Sequence, residues 1–388
     1  MRLPTVVFSG LLGMALAAAP AGRAVADAPL AAGRIAAGCQ PPAGQPQLSG
    51  QPWAQQALDF SGVWDLTRGR HVTVAVVDSG VDQVPQLAGR VTAKDETGTG
   101  TQDCIGHGTA VASIIAAADR RADGIPFFGV APSARILSVK VTSTESGSPG
   151  ALAQGIIDAA EAGAEVINVS IQTSTSSDAL RSAVEFAQAH DAVVVAAAGN
   201  DNPGGGVGPF YPASYPGVLS VGAVDQTGAL ASFTDTRTPV SVTAPGQNIA
   251  SDWPGGFNPV NQGTSFAAPF VSGVAALIRS AYPQMTAAQV VRRIEATADG
   301  STGEHTGAGL VNPVQAVTAL LPAPAKAASQ VVTVPRPSRA DPLTRRLALS
   351  VTGGAIALAV VVTAAALVIP AGRRRRWRPG HRRPWSTS

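Results

Sequence analysis

Residues 72–80 read Val72-Thr73-Val74-Ala75-Val76-Val77-Asp78-Ser79-Gly80, and this stretch decides the fold. Val72 to Val77 is an apolar, β-branched run, the pattern of a strand buried on both faces. Ile136–Val139, Val166–Val169, Val193–Ala197 and Val218–Val221 have the same character. Helical patterns fall between them, at about 108–118, 151–163, 178–190, 266–281 and 286–297. Buried strands alternating with helices predict an α/β fold, with a mostly parallel central sheet covered on both faces. In such sheets ligands meet the carboxyl ends of the strands.

Four polar residues sit where that rule matters. Asp78 directly follows the first strand. His107, in Gly106-His107-Gly108-Thr109, opens the apolar helical run 110–118. Ser265, in Gly263-Thr264-Ser265-Phe266-Ala267-Ala268-Pro269, opens a long apolar helix. There the unpaired N–H groups and the helix dipole favour negative charge. Asn200 follows the strand Val193–Ala197 through Ala198-Gly199. Each alone reads as a turn or capping residue. Together they supply a nucleophile (Ser265), a base (His107), an acid that orients the base (Asp78) and an amide donor for an oxyanion (Asn200). The chain order Asp, His, Ser is one known for this chemistry.

The two ends set the compartment. Arg2, the apolar stretch Val6–Ala19 and Ala24-Val25-Ala26 form a secretory signal peptide over 1–26. Residues 27–52 are rich in Pro, Gly, Ala and Gln and read as an extended arm. The globular domain is expected over 53–321, followed by a Pro-rich linker over 322–346. Residues 347–369 carry no charge, enough apolar chain to cross a ~30 Å hydrocarbon core. Residues 370–388 form a basic tail. Short basic flanks stay in the cytoplasm, so the tail is expected inside and the domain outside, on a cell membrane spanned once.

The net charge of +3 follows from that tail. Seven arginines lie in residues 373–388; without them 21 basic residues face 25 acidic ones, a balance of −4. A mildly acidic body excludes nucleic acid as the expected partner. Of five histidines only His107 has a chemical setting, and the two cysteines lack metal-ligand spacing. No metal and no cofactor is expected. Outside the cytoplasm the pair Cys39 and Cys104 favours a disulfide, the alternative being two free thiols. It would tie the arm to a loop close to His107.

The segments VAVVDSGVD (74–82), GHGTAVASIIAA (106–117), VVVAAAGN (193–200) and GTSFAAPFVSGVAAL (263–277) resemble the subtilisin family of serine proteases. The resemblance covers roughly residues 60–318. It implies a three-layer α/β fold and endopeptidase activity through an acyl-enzyme. It also implies that residues 165–171 pair with an extended peptide substrate, with Ser170, Ile171 and Gln172 as substrate-binding residues. Many family members carry two glycines where this chain has Gln172-Thr173. The larger side chains are expected to crowd the primary specificity pocket. The stretch between Ala26 and Trp53 is too short for a folded pro-domain.

Signal peptide, arm, protease domain, proline linker, single span and basic tail together resemble the mycosins, the membrane-anchored proteases of type VII secretion systems. The cysteine pair and residues 52–69 share that likeness. It implies a type VII membrane complex as partner and its secreted proteins as substrates. An alternative role is structural: stabilising that complex, with catalysis secondary.

Overall fold

The computed structural model describes Cys39 and residues 43–144, 146–201, 208–321 and 342–374. The expected signal peptide, most of the arm before Gly44, linker residues 322–341 and the tail beyond Arg374 lie outside the described residues. The chain divides into two compact units, the first ending at Leu321.

In the first unit a short helix α1 (Trp53–Leu58) precedes strand β1 (Thr73–Asp78). There follow β2 (Val91–Asp95), α2 (His107–Ala116), β3 (Arg135–Lys140), α3 (Pro149–Glu161), β4 (Val166–Val169) and α4 (Asp178–Ala189). Next come β5 (Val193–Ala197), β6 (Leu219–Val224), β7 (Val242–Pro245), β8 (Ile249–Trp253) and β9 (Gly256–Asn261). Helices α5 (Thr264–Ala281), α6 (Ala287–Ala296) and α7 (Pro313–Thr318) close the unit. Seven strands form one sheet in the order β2-β3-β1-β4-β5-β6-β7, and every pairing is parallel. Strands β8 and β9 form a separate antiparallel hairpin.

The apolar runs are continuous because both faces of the sheet are covered. Val74 and Val76 of β1 join a core with α2 and α5, while Ala75 and Val77 join a second core with α3 and α4. In β5, Val193, Val195 and Ala197 face the first core, and Val194 and Ala196 the second. Period-two alternation therefore survives as a choice between two buried faces. Helix α5 is long and apolar enough to span a membrane, yet it lies buried at the centre of the first core.

Caps mark the helix ends. Ser148 caps α3 and Ser177 caps α4, each accepting from a backbone N–H three residues on. Thr286 and Gln289 form a reciprocal capping box on α6.

The second unit holds helix α8 (Pro342–Arg374), 33 residues long. It extends past the apolar stretch 347–369 at both ends, so the last five residues of the expected linker are helical. Pro342 does not prevent this, because the first helical position needs no N–H donor.

Candidate active site

The fold brings Asp78, His107, Asn200 and Ser265 to one end of the sheet. Asp78 is the last residue of β1, and Asn200 lies three residues past β5. His107 is the first residue of α2, and Ser265 the second of α5. His107, Asn200 and Ser265 line a single cavity of about 480 Å³, together with Ser170, Gln172 and Trp253.

Asp78 is fully buried, and its Oδ1 lies 2.7 Å from His107 Nδ1. The same oxygen accepts the Ser79 N–H at 2.8 Å. A carboxylate only accepts, so the ring hydrogen belongs on Nδ1, and Nε2 carries the lone pair that can take a proton. The Phe266 ring packs against the imidazole at 5.1 Å between centroids.

Asn200 is oriented by the residue before Ser265. Its Oδ1 accepts both the Thr264 N–H at 2.9 Å and the Thr264 hydroxyl at 3.0 Å. The amide nitrogen therefore points the other way. A Cβ placed on Gly263 would sit 3.1 Å from Ser265 Oγ and 3.2 Å from Asn200 Nδ2. The serine oxygen and the amide donor thus border the same small space, which any side chain at 263 would fill. Gly263 also has φ of 143°, which favours glycine. An oxyanion formed by attack of the serine could be met by such a donor.

Two buried groups hold the His107 loop. Asp103 accepts hydrogen bonds from the N–H groups of Gly106 and Thr109, both at 2.8 Å, and from the Thr109 hydroxyl at 2.7 Å. It also accepts from the Ser79 hydroxyl at 2.9 Å. Asp103 thereby takes up N–H groups that the first turn of α2 cannot pair within the helix. Lys140 Nζ donates to the Gln102 carbonyl at 2.7 Å, and burial pulls its ammonium below the usual range. Between these residues, Cys104 is joined to Cys39, with Cα atoms 4.7 Å apart.

Beyond that disulfide the arm is tied down again. Gln45 exchanges two backbone bonds with Phe257 of β9, at 2.7 and 2.8 Å. The hairpin that receives it carries Trp253, which packs on Gly106; a Cβ at 106 would run into the indole.

The expected substrate-binding residues separate. Gln172 lines the cavity. Ile171 is buried in the core beneath α3, so its side chain does not reach the cavity. Ser170 borders the cavity, but its hydroxyl accepts from Asn168 Nδ2 at 2.8 Å and donates to the Ser265 carbonyl at 2.9 Å. Asp103, Gly263, Thr264 and the β8–β9 hairpin were not singled out from the sequence. Asp103 carried a usable signal, an acid four residues before a helix-opening histidine. Trp253 carried none, because its place depends on a hairpin remote in sequence.

Comparison with known proteins places the chain in a family. The Subtilase family (Peptidase_S8) matches residues 69–315. Mycosin-3 of Mycobacterium tuberculosis (strain ATCC 25618 / H37Rv) is 36% identical over 393 residues, spanning 83% of this chain and 84% of the relative. Subtilisin E of Bacillus subtilis (strain 168) is 42% identical over 251 residues, covering 63% of this chain and 65% of its own length. The crystal structure of MycP1 from the ESX-1 type VII secretion system superposes with a TM-score of 0.65 at 32% identity, over 73% of this chain and 90% of that one. The chain belongs to the subtilase family, and within it is a subtilisin-type serine protease of the mycosin kind.

Proposed function

We propose that the chain is a membrane-anchored, extracytoplasmic endopeptidase that processes exported proteins of a type VII secretion system. The observation that carries the reading is the convergence of Asp78, His107, Asn200 and Ser265 at one end of the sheet. In this mechanism Ser265 Oγ attacks the scissile carbonyl, and His107 Nε2 takes its proton. Asp78 holds the imidazole through Nδ1 and stabilises its charged form. Asn200 Nδ2 donates to the oxyanion as it develops. His107 then returns the proton to the leaving amine, and water releases the acyl group from Ser265 by the same steps.

The secretion role is supported by the likeness to mycosin-3 and to MycP1, which comes from an ESX-1 type VII system. The anchor is supported by α8, whose apolar centre is followed by Arg373 and Arg374. That order favours a cytoplasmic C-terminus and a protease unit on the far side.

A fluorophosphonate probe on the full-length chain tests the catalytic assignment. Labelling that disappears in Ser265→Ala supports it. Labelling that persists in Ser265→Ala removes Ser265 as the nucleophile. A well-folded wild-type chain that takes no label favours the scaffolding role over the proteolytic one.

A further inference from the structure

A second cavity, of about 590 Å³, lies between the β8–β9 hairpin and the segments around Gln86 and Arg120. Trp253 lines both this cavity and the catalytic one. Two side chains in its wall hold acceptors that nothing among the described residues supplies. Asp252 is 3% exposed, and its Oδ2 has no hydrogen-bond partner among the described residues. Its position is fixed, because its backbone N–H donates to Ser113 Oγ at 3.0 Å. Gln86 is 2% exposed, and its Oε1 likewise has no partner among the described residues. Its Nε2 donates to the carbonyls of Ala118 and Phe127, each at 2.8 Å, so the amide cannot turn over to satisfy the oxygen.

A buried carboxyl without a partner is costly, and so is a buried amide oxygen. Arg120 is the other charged residue among the described lining, and its Nε is paired with the exposed Asp123 at 2.8 Å. Val84, Ile125 and Phe257 supply apolar walls. Two waiting acceptors, one of them a carboxyl, call for a donor with positive charge. The apolar walls call for an aliphatic stem behind it.

We propose that this cavity binds the ammonium or guanidinium group of a lysine or arginine side chain, presented by a peptide that occupies the neighbouring catalytic cavity. The peptide part rests on reading that cavity as a protease cleft. The pocket would select substrates by a basic residue away from the scissile bond. Asp252 supplies the charge and Gln86 the second acceptor. Trp253, shared by the two cavities, couples occupancy of one to the shape of the other.

Calorimetric titration of the full-length Ser265→Ala chain in detergent tests this without any catalysis. The probes are butylguanidinium and its neutral isostere butylurea, then one decapeptide made with arginine and again with citrulline. Butylguanidinium is expected to bind saturably, and butylurea about tenfold or more weakly. Asp252→Asn is expected to erase that preference. Gln86→Leu, which keeps the carboxyl, is expected to weaken both ligands while preserving it. The arginine peptide is expected to bind more tightly than the citrulline one. Equal binding of butylguanidinium and butylurea overturns the proposal, as does a preference that survives in Asp252→Asn. A preference for butylguanidinium with no difference between the two peptides overturns the peptide assignment. Failure of the protease reading would show separately, as loss of fluorophosphonate labelling in the wild-type chain.

Discussion

The Ser170 hydroxyl donates to the backbone carbonyl of Ser265 at 2.9 Å, across 95 residues of sequence. The reason lies four residues beyond Ser265. In an α-helix that carbonyl would accept the N–H of residue 269, but residue 269 is a proline inside α5. Ser170 replaces the missing donor and so ties the end of β4 to the start of the Ser265 helix. Asn168 and Ser272 extend the tie, since Ser272 Oγ donates to Asn168 Oδ1 at 2.8 Å.

Ser170→Ala is therefore expected to cost about 1–3 kcal/mol, the penalty for orphaning a buried acceptor. Pro269→Ala restores a backbone donor. In that background Ser170→Ala should cost less, and a double-mutant cycle by thermal melting measures the coupling. Additive effects would mean that the hydroxyl does not stand in for the proline.

The hold of Thr264 on Asn200 sets the second expectation. Asn200→Ala is expected to lower kcat by roughly 10²–10³, with little change in KM. Thr264→Val removes one of the two bonds that orient the amide and should fall between that variant and wild type. Thr264→Ser should recover most of the loss. Rates on a chromogenic peptide check this, and a Thr264→Val enzyme as slow as Thr264→Ser would place the effect in packing instead.

Removing the Cys39–Cys104 bridge should act on stability. The bond closes a 65-residue separation. Chain entropy puts its contribution at about 4 kcal/mol, an upper figure because reduced chains retain structure. Calorimetry of a Cys39→Ser, Cys104→Ser chain should show a lower Tm. An unchanged Tm would mean that the Gln45–Phe257 pairing and the core hold the arm's exit without the bridge.

Asp252 gives the chain a pH dependence of defined sign. Burial pushes its carboxyl from 3.8 up to about 7. Between those values the folded chain keeps a proton that the unfolded chain has lost. Its stabilising contribution is complete below about 4 and is lost as the pH rises to about 7. Asp252→Asn should therefore raise Tm relative to wild type at pH 8 and change it little at pH 4. A variant that is less stable at pH 8 would show that the carboxylate is paired when it ionises.

Sequence by itself determined the class of fold and pointed to Asp78, His107, Asn200 and Ser265 at strand and helix ends, which the fold gathers at one end of the sheet. Those features are local. A strand buried on both faces must be apolar at every position, so 72–77 and 193–197 announced themselves. A helix N-terminus or a strand end is marked within a few residues, so Asp78, His107, Asn200 and Ser265 were legible from their neighbours.

Tertiary structure decided what depends on distant partners. Strand β2 is a largely exposed edge strand, β7 holds a threonine and a proline among its four residues, and β8 and β9 pair outside the main sheet, so none has the long apolar signature. The orientation of the Asn200 amide depends on Thr264, 64 residues away. The hydroxyl of Ser170 is committed because of a proline in another element. The acceptors of Asp252 and Gln86, without partners among the described residues, come to line one cavity only when a hairpin folds back over the segments near α2. A hydrogen bond needs two groups within about 3 Å. The order of residues along a chain states which groups exist, and only the folded chain states which of them meet.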